Sequence, residues 1–500
     1  MDQISRRCRE SPPQISPDAS ISHPFREMSS GVGLRSWALR LASTDHSPLL
    51  SPYTLTRRSR SSSALPFPPR RTIATVNSTS HPNTNNTNYK KQKVIVISGP
   101  TGAGKSRLAN ELAKLLNGEI ISADSVQVYR GLDIGSAKPS PSDRKEVRHH
   151  LVDILNPSED YSVGQFFEDA RRATRDIIES GRVPIVAGGT GLYLRWYIYG
   201  KPDVPKASPE ITSKVYSELM ILEKNEDWDA AVQLVMKAGD PKAQFVAAND
   251  WYRLRRSLEI IKSTGSPPSA FTVPYDSFRG QLDSRKLDPS YEDTYATGGL
   301  GKNLSKDLDY DFICFFLSSH RVDLYRQIDL RCEEMLSGSK GILSEATQLL
   351  EMGLLPNMNS ATRAIGYRQA MEYLLRCREQ GGNSSAGEFY AFLSEFQKAS
   401  RNFAKRQMTW FRNELIYHWL DASQPLEKVL NFILDAYHHE TGQLVVPESL
   451  RMEKDVSSRK ETIELKSYRP KNRYFVRRED CSEILDWVKR TQRQLNSAWS

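Results

Sequence analysis

The 500-residue chain lacks any run near the roughly 20 consecutive apolar residues that a membrane helix requires, so no membrane partner is expected. It is also poor in cysteine. Cys8, Cys314, Cys332, Cys377 and Cys481 are scattered, odd in number and without a CxxC pair, which argues against a disulfide scaffold and a cysteine-rich zinc site. His438 and His439 are adjacent, but no paired cysteines precede them at finger spacing. Acidic residues almost vanish between Met28 and Asn110, where only Asp45 occurs. That stretch is rich in Ser, Thr, Arg and Pro, and VGLRSWALRLAS at 32–43 has the pattern of a short basic amphipathic helix. Residues 1–90 are therefore expected to be disordered and to act as a transit peptide for a plastid or mitochondrion. A low-complexity tail with no address, in a cytoplasmic protein, is the alternative. Asp2, Glu10, Asp18 and Glu27 fit a transit peptide poorly, which leaves open whether translation starts at Met1 or Met28.

The formal net charge is +9, which favours an acidic partner such as RNA without proving one. The length implies two folded units plus tails. After a polar linker, HPNTNNTNYKKQK at 81–93, the strand-like KVIVIS runs into Gly99, Pro100, Thr101, Gly102, Ala103, Gly104, Lys105 and Ser106. These residues satisfy G-x-x-x-x-G-K-[ST] in full. The following SRLANELAKLL places Leu108, Leu112 and Leu115 at helical spacing, and Asn117-Gly118 closes the helix. Backbone N–H groups of 102–106 are expected to converge at the helix N-terminus, where the dipole favours anions. Lys105 then neutralises a terminal phosphate and Ser106 offers its hydroxyl to Mg²⁺. The motif signals diphosphate binding but is silent about what carries the diphosphate.

GEIISADSVQVYRGLDIGSAKPS at 118–140 opens with a short strand, IIS, and Asp124 stands at its C-terminal end, where open α/β sheets place their chemistry. A helix cap or a Mg²⁺ contact are other uses for an aspartate there. Ser125, Gln127, Tyr129 and Arg130 are suited to hydrogen-bond and stack on a base. Ser162 and Gln165 form a capping box for a helix that stops at Gly181. VPIVAGGTGLYLRWYIYG at 183–200 reads as a strand entering a turn where Gly188 and Gly189 permit close approach and Thr190 is presented.

Seven stretches stand in one order: GPTGAGKSRLA, ISADSVQVYRGLDIGSAKP, HHLVDILNPSEDYSV, PIVAGGTGLYL, NDWYRLRRSLEIIKSTG, RAIGYRQA and RNFAKRQMTWFRN. Together, over about 93–420, they resemble the tRNA dimethylallyltransferases. The resemblance implies an α/β fold with a P-loop NTPase-like parallel sheet and an inserted helical tRNA-binding domain. It implies transfer of a dimethylallyl group from dimethylallyl diphosphate to the exocyclic amine of the adenosine 3′ of the anticodon, adenosine 37. Asp124 is implied to be the base, with Lys105, Thr190 and Arg368 completing the catalytic set; Arg253 and Arg256 are rival phosphate ligands to Arg368. Asp124, Ser125, Val126 and Gln127, and Tyr252, Arg253, Leu254, Arg255 and Arg256, are implied to contact tRNA. Arg401, Lys405 and Arg412 form one basic helical stripe, with Phe403 and Trp410 on another face. A merely solvated face is the ordinary reading of such a stripe, and the resemblance shifts it towards RNA phosphates. Mg²⁺ is the expected cofactor, tRNA and dimethylallyl diphosphate the expected partners, and a monomer the expected state.

The organisation expected is 91–200 as the first part of the core, 201–308 as a helical insertion, and 309–440 as the second part of the core. Helical stretches are expected at 209–224, 227–237 and 249–263, with 266–308 as an added loop. Residues 441–500 read as a basic extension, RPKNRYFVRRED included, without the zinc finger of the family's eukaryotic cytosolic branch. The loop reads GPTGAGKS where many members have Ala-Ser, with every fixed position intact. Rival readings are an adenylate isopentenyltransferase making free cytokinin, a small-molecule P-loop kinase, and a tRNA-binding module with a vestigial loop.

Overall fold

The computed structural model describes residues 91–286, 308–338, 341–439, 444–454 and 459–497. The transit-peptide expectation for 1–90 lies outside them. Runs of β-branched and aromatic residues such as VIVI and FICFFL suit strands covered on both faces. Among the described residues they build one six-stranded sheet, ordered β3-β2-β4-β1-β5-β6. The strands are β1 (Lys93–Ser98), β2 (Gly118–Ser122), β3 (His149–His150), β4 (Val183–Ala187), β5 (Asp311–Ser318) and β6 (Tyr417–Asp421). Every pairing is parallel. Ile95 pairs with Ile185 and Ile120 with the same Ile185, so β1, β4 and β2 end side by side.

Helices α1 (Lys105–Leu116), α2 (Pro141–Glu146), α3 (Val163–Glu179) and α4 (Gly191–Tyr199) supply the crossovers around these strands. The insertion carries α5 (Pro209–Lys224), α6 (Trp228–Ala238), α7 (Trp251–Thr264) and α8 (Pro274–Lys286). After β5 come α9 (Arg321–Glu334), α10 (Ile342–Glu351), α11 (Tyr367–Glu379) and α12 (Ala386–Arg412). Beyond β6 lie α13 (Leu426–His438), α14 (Arg459–Ser467) and α15 (Ser482–Ser497). The capping box expected at Ser162 is present: its side chain accepts from Gln165 N–H, and the Gln165 side chain accepts from Ser162 N–H.

The insertion has a core of its own, in which Val215, Leu219, Val235, Leu254 and Leu258 are fully buried. Leu254 therefore spends its side chain on packing, and the expectation that it contacts tRNA is corrected. The stretch read as a single loop, 266–308, instead contains α8, because Tyr275 and Phe278 are apolar anchors: their rings lie 5.1 and 4.9 Å from that of Tyr199. Residues 287–307 of that stretch lie outside the described residues.

The C-terminal extension is joined to the core by a buried carboxylate. Glu333 of α9 accepts the backbone N–H groups of Arg473, Tyr474 and Phe475 at 2.8 to 3.1 Å. Gln492 of α15 is likewise buried, accepting from Arg378 Nε and donating to Thr347 Oγ1. Orphaning buried donors costs about 1–3 kcal/mol per group. Glu333→Ala is therefore expected to lower unfolding free energy by about 3 kcal/mol in urea titration. The amides of 473–475 should lose hydrogen-exchange protection.

Candidate active site

The C-terminal ends of β1, β2 and β4 open onto one cavity of about 490 Å³. Thr101, Lys105, Ser106, Asp124, Ser125, Val126, Gln127 and Thr190 all line it. The parallel register brings together three turns that are distant in sequence, as expected for an open α/β sheet.

The first turn is the phosphate loop. Gly104, at φ 82°, caps α1 in the left-handed region, which a side chain would strain. The Lys105 ammonium folds back to donate to Pro100 O at 2.8 Å. Burial is the main reason that its pKa drops to about 8; the Arg331 cation adds to the fall and the Asp124 carboxylate opposes it. Arg331, reaching in from α9, is itself pushed down, chiefly by burial. Two partly desolvated cations that share the single Asp124 carboxylate as a neighbour describe a site that gains by taking up an anion.

The second turn follows β2. Asp124 Oδ1 accepts the N–H groups of Val126 at 2.8 Å and Gln127 at 3.3 Å. These bonds fix the carboxylate; its other oxygen takes no protein hydrogen bond among the described residues. The Gln127 amide is consumed internally, accepting from Ser122 Oγ and donating to the carbonyls of Ser136 and Ala137. It therefore shapes the wall formed by 135–137, and its amide is not free for the tRNA hydrogen bond expected of it. The same wall is pinned from behind by buried Glu345, which accepts from Asp133, Ile134 and Gly135 N–H and from Tyr367 Oη.

The third turn, Gly188-Gly189-Thr190, is stitched to the other two. Gly188 N–H donates to Ile97 O at 3.1 Å and Thr190 N–H to Ala123 O at 3.3 Å. A Cβ on Gly188 would sit 2.1 Å from Ala123 O, so no other residue fits without moving the backbone. The rest of the lining includes the apolar side chains of Ile328, Met335, Ile365, Phe396 and Phe403.

Several basic residues fall elsewhere than expected. Arg368 is not among the lining residues. It lies on the first turn of α11, with its guanidinium 3.8 Å from Glu372. Arg363, in the turn before that helix, lines the cavity instead, as do Arg331 and Arg406. Arg401 is committed to a buried ion pair with Asp329, which also accepts from Tyr468 Oη, so it is not presented to an RNA phosphate. Arg412 Nε donates to Lys454 O at 3.1 Å. Lys405 is exposed on α12. On α7, Tyr252 is exposed, while Arg253, Arg255 and Arg256 pair with Asp250, Glu223 and Glu259 at 3.1 to 3.3 Å. Neither α7 nor its arginines are among the residues that line the cavity. Arg363, Arg406 and Gln407 stand within the RAIGYRQA and RNFAKRQMTWFRN stretches without a role assigned to them there, and Arg331 lies in none of the seven stretches.

Fold and site together define a phosphate-loop α/β protein whose cavity joins that loop to a fixed carboxylate and apolar side chains. A family profile described as "IPP transferase" matches residues 127–414, and one described as "Isopentenyl transferase" matches 92–155. A protein named tRNA dimethylallyltransferase 9 from Arabidopsis thaliana is 67% identical over 400 residues, covering 80% of this chain and 86% of that one. The tRNA dimethylallyltransferase of Protochlamydia amoebophila (strain UWE25) is 38% identical over 349 residues, covering 69% and 89%. A solved structure of a eukaryotic dimethylallyltransferase acting on tRNA superposes with a TM-score of 0.51 at 25% identity, covering 75% of this chain and 84% of that one. The chain belongs to the tRNA dimethylallyltransferase (IPP transferase) family.

The Lys105 shift generates a pH prediction. The protonated amine holds the anion, so affinity is intact below about pH 8 and falls as pH rises through that value, by up to about tenfold per unit. Titration calorimetry with inorganic diphosphate should show this decline. Lys105→Arg, whose guanidinium stays charged, should abolish it.

Proposed function

We infer that this protein is a tRNA dimethylallyltransferase, transferring the dimethylallyl group of dimethylallyl diphosphate to the exocyclic amine of a tRNA adenosine. The adenosine proposed is the one 3′ of the anticodon. The observation that carries the reading is a single cavity joining a diphosphate loop, a fixed carboxylate and an apolar wall.

As the allylic C–O bond breaks, positive charge develops on the prenyl carbon and negative charge on the departing diphosphate. Loop N–H groups, Lys105 and Arg331 face the group whose negative charge grows, so they lower the barrier as well as binding the donor. Ile328, Met335, Phe396 and Phe403 suit the five-carbon chain. The adenine amine is a poor nucleophile because its lone pair is drawn into the ring. The open oxygen of Asp124 accepts the amine hydrogen, orienting the lone pair and taking the proton as the new C–N bond forms. The base must leave the anticodon stack to enter so narrow a site. Exposed Tyr252 and Lys405 offer stacking and a phosphate contact outside it, and Arg406 on the cavity lining a further cation.

Among the described residues no cluster of three or more His, Cys, Asp or Glu forms a metal cage. That fits Mg²⁺, which usually binds through one or two protein oxygens and the substrate's phosphates. Ser106 Oγ, on the cavity lining, would hold it. Bound there, it would supply further charge neutralisation to the diphosphate.

Incubation with labelled dimethylallyl diphosphate, Mg²⁺ and bulk tRNA should place label on adenosine in the RNA. Label in AMP, ADP or ATP with none in tRNA would overturn the reading. Asp124→Asn should lower kcat by about 10²–10⁴-fold with little change in tRNA affinity. Recovery of that activity by excess Mg²⁺ would instead make Asp124 a metal ligand.

A further inference from the structure

Gln407 is the side chain of α12 that touches two of the three turns at once. It is 7% exposed and lines the cavity. Its Oε1 accepts Thr101 N–H of the phosphate loop at 2.9 Å, from 306 positions away. Its Nε2 donates to Gly189 O at 3.0 Å. The amide orientation is fixed by its partners, an N–H on one side and a carbonyl on the other. The approach is tight: a Cβ on Gly189 would lie 2.3 Å from Gln407 Nε2. Both backbone groups would otherwise be left facing the cavity without this partner.

The two turns so joined carry the two halves of the proposed reaction. Thr101 lies four residues before Lys105 in the loop that would hold the diphosphate. Gly189 immediately precedes Thr190, which is in turn hydrogen-bonded to the residue before Asp124. We propose that Gln407 is a positioning residue that sets the separation between the leaving diphosphate and the attacking amine, without touching either. Resting on the transferase reading above, this makes the placement of the donor loop a property of the same helix that presents Lys405 and Arg406. The physical basis is that in-line displacement needs reacting atoms within about 3–3.5 Å, and a misplacement of about 1 Å costs on the order of 10²-fold.

Two variants test it. Gln407→Met keeps length and neutrality but removes both hydrogen bonds. Gln407→Glu is isosteric and keeps the acceptor for Thr101, yet as a carboxylate it has no hydrogen for Gly189 O. When protonated, it regains one. Full-length protein is assayed with labelled dimethylallyl diphosphate and tRNA. Gln407→Met is expected to lose about 10²-fold in kcat while the KM of either substrate moves by less than about threefold. Gln407→Glu should be similarly slow at high pH and regain activity as pH falls through the pKa of the buried carboxyl, which burial raises. Lys105, Asp124, Arg331, Arg363 and Arg406 share the cavity and remain in every protein compared, so the wild-type profile is the control for them. A kcat for Gln407→Met within about threefold of wild type would contradict the proposal. So would a defect confined to KM, a Gln407→Glu profile parallel to wild type, or failure of both variants to fold, which would make the side chain a stability element. A wild-type protein that transfers no label would sink the transferase reading itself, a different outcome from active wild type with unaffected variants.

Discussion

The whole site depends on three parallel strands ending at one level. Because Ile185 of β4 is flanked by Ile95 of β1 and Ile120 of β2, the turns that follow must share a few ångströms of space. Packing that close leaves no room for a side chain at Gly188, where the 2.1 Å approach between a Cβ position and Ala123 O measures the constraint. Glycine there is a condition of the active site being assembled at all. Once the strands are in register, the phosphate loop, the Asp124 carboxylate and Thr190 cannot avoid each other.

Around that meeting point the rest of the chain supplies walls and braces. Two buried carboxylates, Glu345 and Glu333, each gather consecutive backbone N–H groups from a segment without regular structure. Glu345 holds the 133–135 stretch that forms one wall. Glu333 holds 473–475 against α9, the helix that delivers Arg331 and Ile328 to the cavity, with Met335 just past its end. Four of the arginines expected to meet RNA, Arg401, Arg253, Arg255 and Arg256, sit in ion pairs within the chain. Charge composition alone therefore says little about where an RNA would lie. The residues that face the cavity or solvent carry more of that information.

Much of the site was legible before the fold was. The phosphate loop is written in consecutive residues, its glycines forced by backbone conformation, and Asp124 stands where a strand must end. Helix spans in the insertion followed from periodicity, as did the Ser162 box. What could not be read was anything fixed by partners far along the chain. Periodicity placed Arg401 on a basic stripe but could not show Asp329 opposite it. The motif around 363–370 offered two arginines, and only the start of α11 at Tyr367 decides that Arg363 lines the cavity while Arg368 turns towards Glu372. Leu254 looked like part of an RNA-binding run, yet its helical position turns it into the insertion's core. Gln407 bonds across 306 and 218 positions, a relation no local pattern encodes. A polar-looking run at 266–308 hid a helix because two aromatic anchors were outweighed by Pro, Gly and Asp.

The central claim is that donor diphosphate and acceptor RNA are bound by different parts of one cavity. Lys105→Ala tests it most directly, with transfer and tRNA binding measured on the same preparation. The account predicts that transfer is abolished while tRNA affinity stays within about threefold of wild type, since RNA affinity rests on phosphate contacts elsewhere. A loss of tRNA affinity comparable to the loss of transfer would contradict it.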